Sequence, residues 1–107
     1  MRTSRFTLTL LASITVFLAT TASAQTGADI YKSKCQMCHA ADGSGSTPAG
    51  KSMKAIPFSD PALVKASDAD LIAATEKGKG KMPAYKGKLT DSQIKDVIAY
   101  IRTLQKK

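Results

Sequence analysis

The stretch Cys35-Gln36-Met37-Cys38-His39 decides the reading of this chain. Two thiols three residues apart, followed at once by an imidazole, form the Cys-x-x-Cys-His pattern of covalent c-type haem attachment. Each cysteine can form a thioether with one vinyl group of the same porphyrin, and the histidine then lies under the iron as an axial ligand. Other uses of the same residues fit less well. A structural zinc site needs four ligands, and Cys35, Cys38 and His39 exhaust the cysteines and histidines of the chain. A thioredoxin-like pair expects a surrounding βαβ pattern, and no alternating strand pattern occurs.

Upstream of the pentapeptide, Arg2 and Arg5 precede an apolar run from Phe6 to Ala19, and Ala22-Ser23-Ala24 has the form of a cleavage site. That is the anatomy of a secretory signal peptide. Residues 1–24 are therefore expected to be removed, leaving a mature domain of residues 25–107 exported to the periplasm. The apolar run falls short of the roughly 20 residues that span a bilayer. No other stretch can cross one, so stable membrane insertion of the mature chain is not expected. The 83 mature residues keep 14 basic and 8 acidic side chains, a net charge of +6. A domain this small buries a low fraction of its surface and needs a staple. With both cysteines given to haem no disulfide remains, and the porphyrin itself supplies part of the core.

The pattern gives three helices and two loops. Gly27 to Lys34 reads as a short helix, with Ile30 and Tyr31 on its apolar side, that delivers Cys35 into an attachment loop. Asp42 to Gly50 is rich in turn residues and is expected to have no regular structure and to wrap the histidine side of the haem. Between Met53 and Pro61, Ile56 and Phe58 are expected to be buried, and one helical turn starts at Pro61. Ser67 caps a helix running to Glu76, with Asp68 and Asp70 at its positive end and Gly78 at its stop. Gly78 to Pro83 reads as an extended loop. Thr90-Asp91-Ser92-Gln93 has the spacing of a capping box. Beyond it Ile94, Val97, Ile98, Ile101 and Leu104 make one apolar helical stripe, with Lys95, Asp96, Arg102, Lys106 and Lys107 largely off it.

A haem held by one histidine has an open face, for which three methionines compete. Met37, between the cysteines, is held on the wrong side. Met53 can be core or ligand. Met82, in Gly80-Lys81-Met82-Pro83, has glycine for close backbone approach and proline to fix the chain beside the sulfur. Methionine is also a common core filler, so loop chemistry favours Met82 over Met53 without deciding between them.

The whole arrangement resembles a class I c-type cytochrome, of the small monohaem bacterial and photosynthetic type. Gly27 and Tyr31 match that family's small and aromatic positions on the first helix, Val97 and Tyr100 match those on the last, and Gly80 to Tyr85 resembles its distal-ligand loop. The resemblance covers nearly all of the mature chain. It implies an all-α, single-domain cytochrome c fold with N- and C-terminal helices crossing around one covalently bound haem c. It also implies Met82 as the distal axial ligand opposite His39. The family's acceptor for the proximal imidazole N–H comes from a loop proline, for which Pro48 is the candidate. Lys51, Lys54 and Tyr85 are candidates for the haem propionates.

Haem iron closed on both faces exchanges one electron between Fe(II) and Fe(III) rather than binding substrate. No general base or nucleophile cluster accompanies it, so the expected role is a carrier rather than an enzyme. Its partners are redox proteins, and Lys77, Lys79, Lys81, Lys86 and Lys88, which bracket Met82, favour acidic faces. Nucleic acid is a poor partner, since the few aromatics are not interleaved with the basic residues. A monomer is expected. Two other functions use the same residues: a haem enzyme or sensor that binds peroxide or a gas after Met82 leaves, and a non-covalent subunit of a larger oxidase or dehydrogenase.

Overall fold

Thr26 starts the first helix. Its hydroxyl accepts from the Asp29 N–H at 3.2 Å, and the Asp29 carboxylate accepts from the Thr26 N–H at 3.3 Å, so two otherwise orphaned donors are satisfied reciprocally. A computed structural model describes residues 12, 14–16 and 26–106 of the chain. The expected cleavage site and nearly all of the leader lie outside the described residues.

From Thr26 the chain forms α1 (Gly27–Ile30), a π-helical turn (Tyr31–Cys35) and α2 (Gln36–His39). The helix is therefore longer than the expected 27–34: it runs through both cysteines to the histidine. In the π turn the Gln36 N–H donates to the Tyr31 carbonyl, and this wider ring shifts the helical register of α2 relative to α1. Ile30 and Tyr31 are buried in the core, while Cys35, Cys38 and His39 line a cavity.

Ala40 ends the helix in a left-handed conformation, φ 67°, and the next turn brings the Gly45 N–H to the His39 carbonyl at 2.9 Å. The segment expected to lack regular structure does not lack it throughout, because α3 (Pro48–Ser52) begins within it. Thr47 caps that helix and Pro48 occupies its first position, where a missing N–H costs nothing. The Thr47 hydroxyl accepts from Gly50 N–H at 2.9 Å and donates to the Met37 carbonyl at 2.6 Å, which ties α3 to α2. Phe58 is buried as expected, but Ile56 is 48% exposed.

α4 (Pro61–Lys65), capped by Asp60, and α5 (Asp68–Lys77), capped by Ser67, obey the expected signals, and Gly78 ends α5 with φ 74°. α6 (Asp91–Gln105) starts with the Thr90–Gln93 capping box and buries all five residues of its stripe. Among the described residues no strand forms, and two isolated bridges, Lys79–Met82 and Lys86–Leu89, close tight turns.

α6 crosses α1 at Gly27. A Cβ on Gly27 would fall inside the Asp96 carbonyl, so only glycine allows the backbones so close. Beside the crossing Tyr31 packs on Tyr100 at 5.2 Å between ring centroids, and its hydroxyl donates to the Ala40 carbonyl at 2.6 Å. The core is completed by Ile30, Ile94 and Val97, each at most 1% exposed; burying such a side chain is worth about 1.5–3 kcal/mol. Arg102 holds the far end of α6 to the α4–α5 corner. Its Nε donates to Asp68 at 2.9 Å and its terminal nitrogens reach the carbonyls of Leu63, Val64 and Ala66.

Candidate functional site

α2, the segment after α3, α5, the loop beyond it and α6 enclose one cavity of about 640 Å³, within the range of about 300–1,000 Å³ typical of ligand pockets. Cys35, Cys38 and His39 form one wall. Leu71, Ala74 and Thr75 of α5 and Met82 and Pro83 of the next loop form another, Phe58 lies against His39, and Ile98, Ile101 and Gln105 of α6 line the remainder. The helical register sets this arrangement: residues 35, 38 and 39 share one face of a helix, and Ile98 and Ile101 extend the apolar stripe of α6 beyond the crossing.

Cys35 and Cys38 are half-buried and are not joined to each other in a disulfide. Burial, reinforced by the neighbouring Cys38, pushes the Cys35 thiol up to about 11. That direction is opposite to the shift toward thiolate that a redox-active cysteine needs. Among the described residues no group of three or more His, Cys, Asp and Glu side chains is placed to hold a metal ion. Burial also lowers the pKa of His39, favouring the neutral imidazole that a metal ligand must be. The imidazole stacks on Phe58 with ring centroids 4.6 Å apart and planes inclined by 20°. Its Nδ1 is buried and has no hydrogen-bond partner among the described residues.

The methionines separate clearly. Met37 is 76% exposed and takes no part in the cavity wall. Met53 and Met82 both line it, but Met53 is 44% exposed and lies 3.8 Å from the Cys38 sulfur, at the thiol end. Met82 is half-buried in a loop that is not extended as expected. Lys79 and Met82 exchange backbone bonds of 3.2 and 3.0 Å, so Gly80 and Lys81 form a tight turn. Two longer reaches hold that loop. The Lys81 ammonium donates to the Ser52 carbonyl at 3.3 Å, and the Tyr85 hydroxyl donates to the Lys34 carbonyl at 3.0 Å.

Lys34, Lys54, Lys79 and Lys81 line the cavity together with one acid, Asp70. Of the residues considered for the propionates, Lys54 and Tyr85 belong to the wall and Lys51 does not. Pro48 starts α3 and supplies no acceptor to His39 Nδ1. Sequence reasoning missed Thr75 and Gln105 in the wall. Gln105 lies one residue past Leu104, off the apolar stripe, and carried no signal. Two thiols, a neutral imidazole and thioethers around an apolar chamber fit an iron porphyrin. No helix among the described residues is long and apolar enough to cross a membrane.

Comparisons with known proteins agree with this chemistry. The family described as cytochrome C oxidase, cbb3-type, subunit III matches residues 22–101. A cytochrome c6 of Leptolyngbya boryana is 35% identical over 82 residues, covering 75% of this chain and 91% of that protein. A cytochrome c6 of Nostoc sp. strain PCC 7120 is 36% identical over 83 residues, covering 78% and 72%. The solved structure of the KustC0563 c-type cytochrome superposes with a TM-score of 0.69 at 29% identity, covering 76% of this chain and 99% of that one. From the attachment pattern, the helical cavity behind it and these relatives, the chain belongs to the c-type cytochromes, as a small all-α class I member with covalently bound haem c and an electron-carrying role.

Proposed function

We propose that the protein is a one-electron carrier of the periplasm, in which His39 and Met82 are the axial ligands of a haem attached through Cys35 and Cys38. The observation that carries this reading is that these four side chains line one apolar cavity. Haem c supplies the Fe(II)/Fe(III) couple. The chain's own residues do the rest. Cys35 and Cys38 fix one edge of the ring, and neutral His39 presents its imidazole to the chamber. Met82 brings a soft, uncharged sulfur that favours ferrous iron. Leu71, Ile98 and Ile101 exclude water. Met82 is preferred to Met53 because its loop is closed by its own turn, whereas Met53 is committed to the thiol end. The mature chain begins at Gln25 after signal cleavage and acts as a monomer rather than an enzyme. The lysines at the cavity mouth steer it to acidic faces of redox proteins.

The test is the ferric visible and near-infrared spectrum of the exported protein. The methionine-to-ferric charge-transfer band should be present, vanish in Met82→Ala and persist in Met53→Ala; the reverse pattern reassigns the ligand. Carbon monoxide added to the reduced protein should bind slowly or not at all at neutral pH, and rapid binding would instead favour a gas-binding or peroxide-using haem. A second reading has a specific observation behind it: the matching family model is described as an oxidase subunit. Native-mass measurement of the protein from its own membranes separates the two, since a subunit co-elutes with an oxidase and a free carrier does not.

A further inference from the structure

A ligating imidazole is ordinarily held in one orientation by an acceptor on its other ring nitrogen. In this chain Nδ1 of His39 is buried without such an acceptor among the described residues, and the ring is instead covered on one face. The side chain that touches it face to face is Phe58, at 4.6 Å and 20° between planes. We propose that Phe58, held in place by Gln105, is the residue that positions the plane of the His39 imidazole. This rests on His39 being an axial ligand.

Phe58 is suited to the task because it is fixed from several sides. Its N–H donates to the Gly43 carbonyl at 2.9 Å, and its carbonyl accepts from Gln105 Nε2 at 3.1 Å. Its ring meets the edge of Tyr31 at 6.2 Å. Gly43 leaves the ring its space: a Cβ there would lie 2.6 Å from Phe58 Cδ2. Gln105 is itself oriented, since its Oε1 accepts from Arg102 at 2.9 Å, and its amide therefore presents the nitrogen to Phe58. The ring plane of the imidazole is thus referred, through one aromatic contact and one amide, to the C-terminal turn of α6. That plane selects which iron d orbital overlaps with the imidazole π electrons, and so sets how unpaired spin spreads over the porphyrin.

The spread is read directly from the four haem-methyl proton resonances of the ferric holoprotein. Phe58→Leu keeps an apolar side chain but removes the flat face, and should reorder those resonances while the methionine charge-transfer band stays. Phe58→Tyr restores the face and should restore the wild-type order. Gln105→Ala, which frees the Phe58 backbone without touching its ring, should displace the resonances in the same sense by a smaller shift. A Leu variant with the wild-type order and only a lowered melting temperature overturns the proposal, as does a Tyr variant displaced as far as Leu. If the Leu variant does not accumulate, Gln105→Ala decides: an unmoved methyl pattern overturns it. A wild-type spectrum that is not low-spin sinks the ligand reading as well, which separates that failure from the failure of positioning alone.

Discussion

The two walls that carry His39 and Met82 are built in different ways. His39 ends a helix whose first residues are locked against α6, and its ring rests on a buried aromatic side chain. Met82 sits in a four-residue turn whose ties to the rest of the molecule are two polar reaches, from Lys81 and from Tyr85, and a pair of backbone bonds from Tyr85 and Lys86 to the end of α5. One wall is an extension of the hydrophobic core, and opening it means unfolding. The other is a loop over a cavity, with local stability set by a few exposed hydrogen bonds. With His39 and Met82 as the proposed ligands, loss of the imidazole requires unfolding, whereas the methionine sulfur can be lost by local opening of its loop.

The largest effect should come from the core side. Ile94, fully buried between the crossing helices, should cost about 2–5 kcal/mol when changed to alanine, read as a fall in the melting temperature of the holoprotein. Arg102→Ala comes next. It removes the Asp68 pair and leaves the carbonyls at the α4–α5 corner unpaired, a loss of about 1.5–3 kcal/mol for charge-assisted hydrogen bonds in denaturant titration. Tyr85→Phe should cost about 0.5–1.5 kcal/mol, and that loss should be local. Its signature is a several-fold faster binding of imidazole to the ferric haem, with little change in global unfolding. Lys81→Ala, on an exposed contact, should change stability by less than about 0.5 kcal/mol and accelerate imidazole binding only slightly. If Tyr85→Phe unfolded the protein as readily as Ile94→Ala, the contrast between the walls would be wrong.

Much of this was readable from local signals. The α6 stripe and its capping box mark a buried helix because both the period and the cap depend on neighbouring residues alone. The same holds for Ser67 and Gly78 around α5, and for the pentapeptide, whose residues act at one point in space. The misread segments have other causes. The π turn at Tyr31–Cys35 arises where one helix must serve both a crossing and a cavity, a demand that no window of sequence displays. The Gly80–Lys81 turn was hidden because glycines suit an extended loop and a tight reversal equally. Ile56 carries an apolar side chain to the cavity rim, where half of it is exposed. Arg102 lies off the apolar stripe and Gln105 just past its end, yet each also has partners 34 to 47 residues away in the chain. Long-range polar partners leave no periodic trace.

The position of α6 in the chain has a further consequence. The thiols belong to the first helical stretch, whereas Ile98, Ile101 and Gln105, which line the same cavity, belong to the last 15-residue helix. The chamber is therefore assembled from both ends of the described chain, and the crossing at Gly27 that joins those ends is also what brings its sides together. Loss of α6 would remove part of the chamber and the main partner of the first helix in one stroke.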